Sequence, residues 1–367
     1  MTSTAECSTT EIWDKAAAFD FELVTFDDVA ASLARDNVDI NDLGVFLSPA
    51  AASRLDDMAS RAKELTERFF SRNIALFYLA NHRINHCDYC GYNMSNLIRR
   101  ARLTHEEIEN EAAAIAATGL KEILLLTGES RVRSSVEYIA HSIEIMKRHF
   151  EVIGIEVYPM EVDEYKALHR AGADFISVYQ ETYDPVLYDE VHIRGPKKIY
   201  NYRLNANVRA LEAGFRGASF AALLGLGDFR RDAMACGIHA FTVNQRFPHA
   251  EIGFCVPRLR SYPNRGDQVA DVAESELLQV LLAYRLFMPR ASISLSTRES
   301  AAFRDSCIGL GVTRFSAGVQ TGVGGHAEEE KGDEQFHKAD NRSVDEMVQA
   351  IAAKGGQPIF NARTRIL

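Results

Sequence analysis

No apolar run in this sequence approaches the roughly 20 residues that cross a bilayer as a helix, so no membrane span is expected. A basic surplus is missing too. Lys and Arg total 41 against 51 Asp and Glu, and the formal charge of −10 argues against nucleic-acid binding as the main task. The basic run Arg99-Arg100-Ala101-Arg102 is a local exception. Cysteine is scarce: the six residues at 7, 87, 90, 236, 255 and 307 are too scattered to form a disulfide framework. The first fifteen residues, MTSTAECSTTEIWDK, have neither the basic start nor the apolar stretch of a secretory signal. A reducing, cytoplasmic setting is the expectation, in which a close cysteine pair suggests metal or redox chemistry.

From about residue 73 onward, short β-rich runs alternate with helical ones. NIALFYLA (73–80) is the first expected strand. EILLLTGES, VIGIEVYPM, DFISVYQETY, GASFAALLGLGD, AEIGFCVPRLR, SISLSTRES and VTRFSAGVQ continue the series. Between them lie helical patterns, including one opened by a Thr104/Glu107 capping box and stopped at Gly119, and one opened by Ser134 with Glu137. The strands read as apolar runs, as expected when both faces are covered. Eight βα units favour an α/β fold of the (β/α)8 TIM-barrel type, though the spacing leaves a closed and a partly open barrel both available. The expected division is a helical extension over 1–72, a barrel core over 73–320, and a polar loop with a C-terminal helix over 321–367. His326 and His337 in that loop are expected to be solvated.

Chemistry in a βα barrel sits at the C-terminal ends of the strands. Those ends carry Thr127-Gly128-Glu129, Glu156, Gln180-Glu181-Thr182, Arg258 and Ser296-Thr297-Arg298-Glu299. The first strand runs into NHRINHCDYCGYNMSN (81–96), with Cys87 and Cys90 spaced as CxxC. Six residues separate this pair from any helix start, which disfavours a thioredoxin-type couple. A closed zinc site would need more ligands than the two thiols with His82 or His86 supply in this pattern.

CDYCGYNMSNLIRR (87–100), LLLTGE (124–129), VYQETYDPVLY (178–188), VPRLR (256–260) and SLSTRES (294–300) together carry a family resemblance. The sequence resembles the radical S-adenosylmethionine (SAM) enzymes, and among them the 2-iminoacetate synthases, the anaerobic tyrosine lyases of thiazole biosynthesis. A sister group of tyrosine-cleaving enzymes in hydrogenase-cofactor assembly resembles it less, because that group adds a C-terminal cysteine-rich site.

The resemblance implies a 4Fe–4S cluster and SAM as cofactors, and cleavage of the tyrosine Cα–Cβ bond to 2-iminoacetate and p-cresol. It places Cys87 and Cys90 on the cluster and Tyr89 beside the adenine. Thr127, Gly128 and Glu129 would receive the SAM ammonium group, and Glu156 the ribose. Ser296, Thr297 and Arg298 would hold the substrate carboxylate. Arg258 is either an anion ligand or one half of an ion pair with Glu181. The implied partners are a thiazole synthase and an electron donor such as flavodoxin or ferredoxin.

One position departs from the pattern. Where CxxxCxxC would begin, Arg83 stands, and a guanidinium offers no lone pair to iron. His82 beside it is the candidate substitute ligand, with Cys255 as the remote alternative. Three readings are open: a tyrosine lyase with an unusual third ligand, a lyase for another aromatic amino acid such as tryptophan, or a cluster-deficient binding or scaffold protein.

Overall fold

A computed structural model describes residues 6–82, 101–259, 272–319, 324–327 and 338–361, with the backbone alone for Leu79–His82 and Pro196. Its centre is a parallel sheet of β1 (Asn73–His82), β2 (Glu122–Thr127), β3 (Val152–Glu156), β4 (Phe175–Ser177), β5 (Gly217–Phe220), β6 (Glu251–Cys255), β7 (Ser292–Leu295) and β8 (Arg314–Ser316). Neighbours follow chain order from β2 to β8. The sheet then closes, because β1 pairs with both β8 and β2. This settles the question the spacing left open: the barrel is closed, and all its strands point their C-terminal ends the same way.

A ninth strand, β9 (Gln357–Ile359), was not expected. It pairs in parallel with the start of β1, Asn73 opposite Gln357. Three residues after a helix carry too little pattern to register as a strand.

The interior has two parts. Outward-facing strand residues such as Ile176, Ala218, Ile252, Phe254, Ile293 and Phe315 pack against the ring of helices and belong to one continuous apolar core. The N-terminal helices lie over this ring on the β6–β7 side. There Gln279 Nε2 donates to the Phe46 and Ser48 carbonyls (2.9 and 2.7 Å), and Gly237 lets Leu43 approach closely. The barrel lumen is different. Several of its positions carry serine, glycine or cysteine, so β4–β7 alternate rather than run apolar throughout, contrary to the sequence expectation.

Of two local expectations, one holds and one is refined. The Thr104/Glu107 capping box is present, with Thr104 N donating to Glu107 Oε2 at 2.7 Å. The next helix, Val136–Met146, is capped by Ser135 and not Ser134. Ser134 is buried, its N–H bound to the Ser130 carbonyl at 2.8 Å and its own carbonyl accepting from Tyr158 Oη at 2.7 Å, so the helix begins one residue later.

His326 is not solvated. Its ring lies 3.3 Å from Tyr78 Oη and 3.2 Å from the Gly318 carbonyl, and its N–H donates to Glu111. His337 lies outside the described residues. Among the described residues no helix is long and apolar enough to cross a membrane.

Candidate active site at the C-terminal rim

β1 leaves the barrel at His82, opposite Thr127 of β2. The segment that follows holds Arg83, Cys87, Tyr89 and Cys90, all outside the described residues, as is the His82 side chain. The surroundings of that exit are described. On one side lies the β2 end with Thr127, Gly128 and Glu129. On the other side, past β8, lies the β7 end with Ser296, Thr297 and Arg298.

Thr127 is buried, and its Oγ1 has no hydrogen-bond partner among the described residues. A buried hydroxyl left in this state costs free energy unless a ligand or water satisfies it. Glu129 is not isolated: Arg203 Nη1 donates to its Oε1 at 2.9 Å. Arg203 also donates through Nε to the Tyr179 carbonyl at 2.7 Å and lies 3.6 Å from Glu181 Oε1, which is paired in turn with Lys197.

Four charges of alternating sign therefore form one buried chain across the β2 and β4 ends. Burial would push the Glu181 carboxyl up, but the Lys197 and Arg203 charges outweigh it and bring the group down to about 2. The same surroundings hold His192 neutral. Burial and the Lys197 charge lower it to about 3. Glu181 also adopts a left-handed backbone, φ 75°, a conformation that non-glycine residues hold only when their surroundings enforce it. Arg203 and Lys197 were missed in the sequence, where they sit in GPKKIYNYRL among other cations with nothing to mark them as inward-facing.

Burial lifts Tyr179 well above its ordinary value and raises the Cys255 thiol, and the charge of Glu156 at the end of β3 adds to both. Tyr179 Oη donates to Cys255 Sγ at 3.0 Å. Burial pushes the Cys255 thiol up to about 11, so the remote-ligand alternative would have to draw on a thiol held firmly protonated.

Arg258 is neither open for an anion nor paired with Glu181. Its guanidinium grips Glu299 with two hydrogen bonds and donates to the Val272 carbonyl, all of it buried. The pair ties the β6 end to the β7 end. Glu299 was the better-hidden partner, since the sequence shows a row of polar residues without saying which way each one faces.

The Ser296–Arg298 turn is held through its backbone. Thr297 N donates to Ser316 Oγ at 3.2 Å, and the Thr297 carbonyl accepts from Ala339 N (3.0 Å) and Asp340 N (3.3 Å). Thr297 Oγ1 is buried without a partner among the described residues, while Arg298 is half-buried. Asp340 is anchored by Arg304 and Arg342, with Arg342 Nη2 at 2.7 Å.

Against known proteins, residues 81–235 match the radical SAM superfamily, and residues 255–357 match the biotin and thiamin synthesis associated domain. The 2-iminoacetate synthase of Salmonella typhimurium is 35% identical over 90% of this chain and 88% of its own length. The Escherichia coli 2-iminoacetate synthase is 34% identical over 91% of this chain and 89% of its own.

This chain belongs to the radical SAM superfamily.

The crystal structure of HydG, an FeFe-hydrogenase maturase, superposes on this radical SAM enzyme with a TM-score of 0.88, at 28% identity, covering 96% of this chain and 80% of that one. The superfamily's cofactors, a 4Fe–4S cluster and SAM, are therefore those of this radical SAM lyase. The described rim fits SAM. It offers a carboxylate and a guanidinium side by side in Glu129 and Arg203, complementary to the ammonium and carboxylate of an amino acid, next to an unsatisfied hydroxyl in Thr127.

Proposed function

We propose that this enzyme cleaves the Cα–Cβ bond of L-tyrosine to 2-iminoacetate and p-cresol, supplying thiazole biosynthesis. The observation that carries the reading is the 35% identity over nine-tenths of the chain to a 2-iminoacetate synthase. Two polar sites at one rim support it, because the reaction must hold two amino acids at once: the methionyl part of SAM and the substrate.

The residues divide the work. Glu129 accepts the SAM ammonium group, and Arg203, already within 2.9 Å of that carboxylate, turns to the SAM carboxylate. Thr127 Oγ1 and Gly128 line the same position, and Glu156 takes the ribose hydroxyls. Tyr89 packs on the adenine. Ser296, Thr297 and Arg298 hold the tyrosine carboxylate, where a guanidinium fork gives a two-point grip and Thr297 Oγ1 gains the partner it lacks. When bound, the cluster and SAM supply a radical that removes a hydrogen atom from the substrate amine. Arg258 takes no ligand in this scheme; it braces the turn through Glu299.

Cys87 and Cys90 provide two thiolates, and Arg83 cannot provide the third. His82 is the proposed substitute, since imidazole replaces thiolate in some clusters. A low-potential electron donor of the flavodoxin or ferredoxin class and a thiazole synthase are the proposed partners.

The test is anaerobic reconstitution with iron and sulfide, then incubation with SAM, reductant and either tyrosine or tryptophan. Release of p-cresol from tyrosine supports the reading. Turnover of tryptophan alone overturns the substrate assignment. An absence of SAM cleavage, both in the wild type and in Arg83→Cys, would point instead to a binding protein.

A further inference from the structure

TIM-barrel interiors are ordinarily filled by layers of bulky branched side chains. This lumen is not. Ser177 of β4, Ser219 of β5, Cys255 of β6, Ser292 and Ser294 of β7, and Tyr179 border one cavity of about 50 Å³ on the barrel axis. Holding one water takes roughly 10–15 Å³, so the space suits a short file of about three to five. Every one of these groups can both donate and accept a hydrogen bond, the thiol weakly.

Gly253 shows how the file is kept open. A Cβ at this position would stand 2.8 Å from Ser219 Oγ and 2.9 Å from Ser292 Oγ. Both distances are closer than a carbon normally approaches a hydroxyl, so any side chain here would push the Ser219 and Ser292 hydroxyls from their places, and glycine leaves both facing the cavity. The backbone there is an ordinary strand, so glycine serves the lumen and not the turn chemistry.

The cavity joins the two mouths of the barrel. Its lower end reaches Glu122, Glu251 and Arg314, where Arg314 pairs with Glu122 and Arg216 stands 3.8 Å from Glu251. Its upper end is the Tyr179–Cys255 contact at the ends of β4 and β6, and the Tyr179 carbonyl accepts from Arg203, which reaches Glu129 at the rim.

We infer that the lumen is a hydrated hydroxyl relay that delivers a proton from the lower mouth to the reaction site. The inference rests on the tyrosine-cleaving reading. After Cα–Cβ scission, the departing fragment is a 4-hydroxybenzyl radical. It becomes p-cresol by taking one electron from a low-potential donor of the ferredoxin or flavodoxin class, together with one proton that closes the benzylic C–H bond. Radical chemistry requires bulk water to be kept from the upper mouth, so the proton has to arrive through the protein. In a hydroxyl and water file each member passes on one proton and accepts another, and the lower mouth replaces what the upper one uses. Tyr179 and Cys255 can serve without ionising at rest.

Gly253→Ala is the direct test, because its methyl would crowd the Ser219 and Ser292 hydroxyls, which can rotate out of the file without disturbing the strand. Ser294→Ala is the second variant, removing a hydroxyl and adding no bulk. With tyrosine, SAM and reductant, both variants should keep forming 5′-deoxyadenosine. Their p-cresol yield per 5′-deoxyadenosine should fall about tenfold or more, toward the lower bound of what positioned proton transfer contributes. An unchanged ratio in both variants overturns the relay.

The second readout does not depend on activity. A high-resolution crystal structure of the wild type should show ordered waters bridging Ser219, Ser292 and Ser294, and Gly253→Ala should remove the first bridge. A dry lumen overturns the inference. If the wild type releases no p-cresol at all, the substrate reading fails, and the bridging waters alone then decide for or against the hydrated file.

Discussion

Asp340→Asn removes one charge while keeping the side chain's shape, at a point where the structure concentrates cations. The Arg304 and Asp340 side chains are 1% and 0% exposed, and Arg342 donates to the same carboxylate through Nε (3.0 and 3.1 Å) and Nη2 (2.7 Å). Removing one partner from a buried ion pair typically costs about 3–5 kcal/mol, because the remaining charge stays buried and uncompensated. Asparagine retains one acceptor oxygen and Arg342 retains Asp305 at 2.8 Å, which places the expected loss near the lower figure, about 3 kcal/mol.

That is a large part of the roughly 5–15 kcal/mol by which domains are stable, and for a chain of 367 residues it corresponds to a melting temperature lower by about 4 °C. Circular dichroism melts of wild type and variant measure it. Replacing Arg304 and Asp340 together by apolar residues of similar size should recover most of the loss.

The pH dependence gives an independent check. Burial pushes the Asp340 carboxyl up, but the Arg342 hydrogen bonds and the Arg304 charge leave it below its ordinary 3.8. Its contribution is therefore full above about pH 4 and is lost as pH falls through the lower folded value. The variant should show a weaker acid destabilisation in that range. A melting shift under about 1 °C, or a double variant as unstable as the sum of the singles, would refute the argument. Since Asp340 N also holds the Thr297 carbonyl, the variant should raise KM for the amino acid more than it lowers kcat.

Glu129→Ala should weaken SAM binding in calorimetry on anaerobically reconstituted protein by about tenfold or more, the scale of one charge-assisted hydrogen bond; unaltered affinity would remove Glu129 from the SAM site. Arg83→Cys should raise bound iron and sulfide to about four each per chain, and His82→Ala should strip whatever cluster the wild type holds. Retention of a full wild-type cluster in His82→Ala would exclude the imidazole. Burial lifts the Asp232 carboxyl to about 7, despite hydrogen bonds from Tyr183 N (2.7 Å) and Thr182 Oγ1 (3.0 Å). The folded state thus keeps a proton that the unfolded chain gives up. The stability it contributes is full below about pH 4 and lost as pH rises to about 7. Asp232→Asn should flatten that decline in urea midpoints, and parallel curves for the two proteins would show the burial argument to be wrong.

The sequence alone determined the eight βα units, while the closure of the barrel was decided by β1 pairing with both β2 and β8. Regular βα alternation, capping boxes such as Thr104/Glu107, and glycine stops are local signals, and local signals are enough when each unit repeats the last. It also determined which rim positions are polar, because a strand end is where an apolar run stops. Partners were decided only by the tertiary structure. Glu299, not Glu181, meets Arg258, and Arg203 reaches Glu129 from a helix 74 residues away in the chain. His326, expected in solvent, lies against Tyr78. An ion pair depends on where two strand ends converge, and that distance is set by barrel closure and not by spacing along the chain. The lumen follows the same rule. Ser177, Ser219, Gly253 and Ser294 lie on four separate strands with nothing in the sequence to connect them, and only the closed barrel brings them around one cavity.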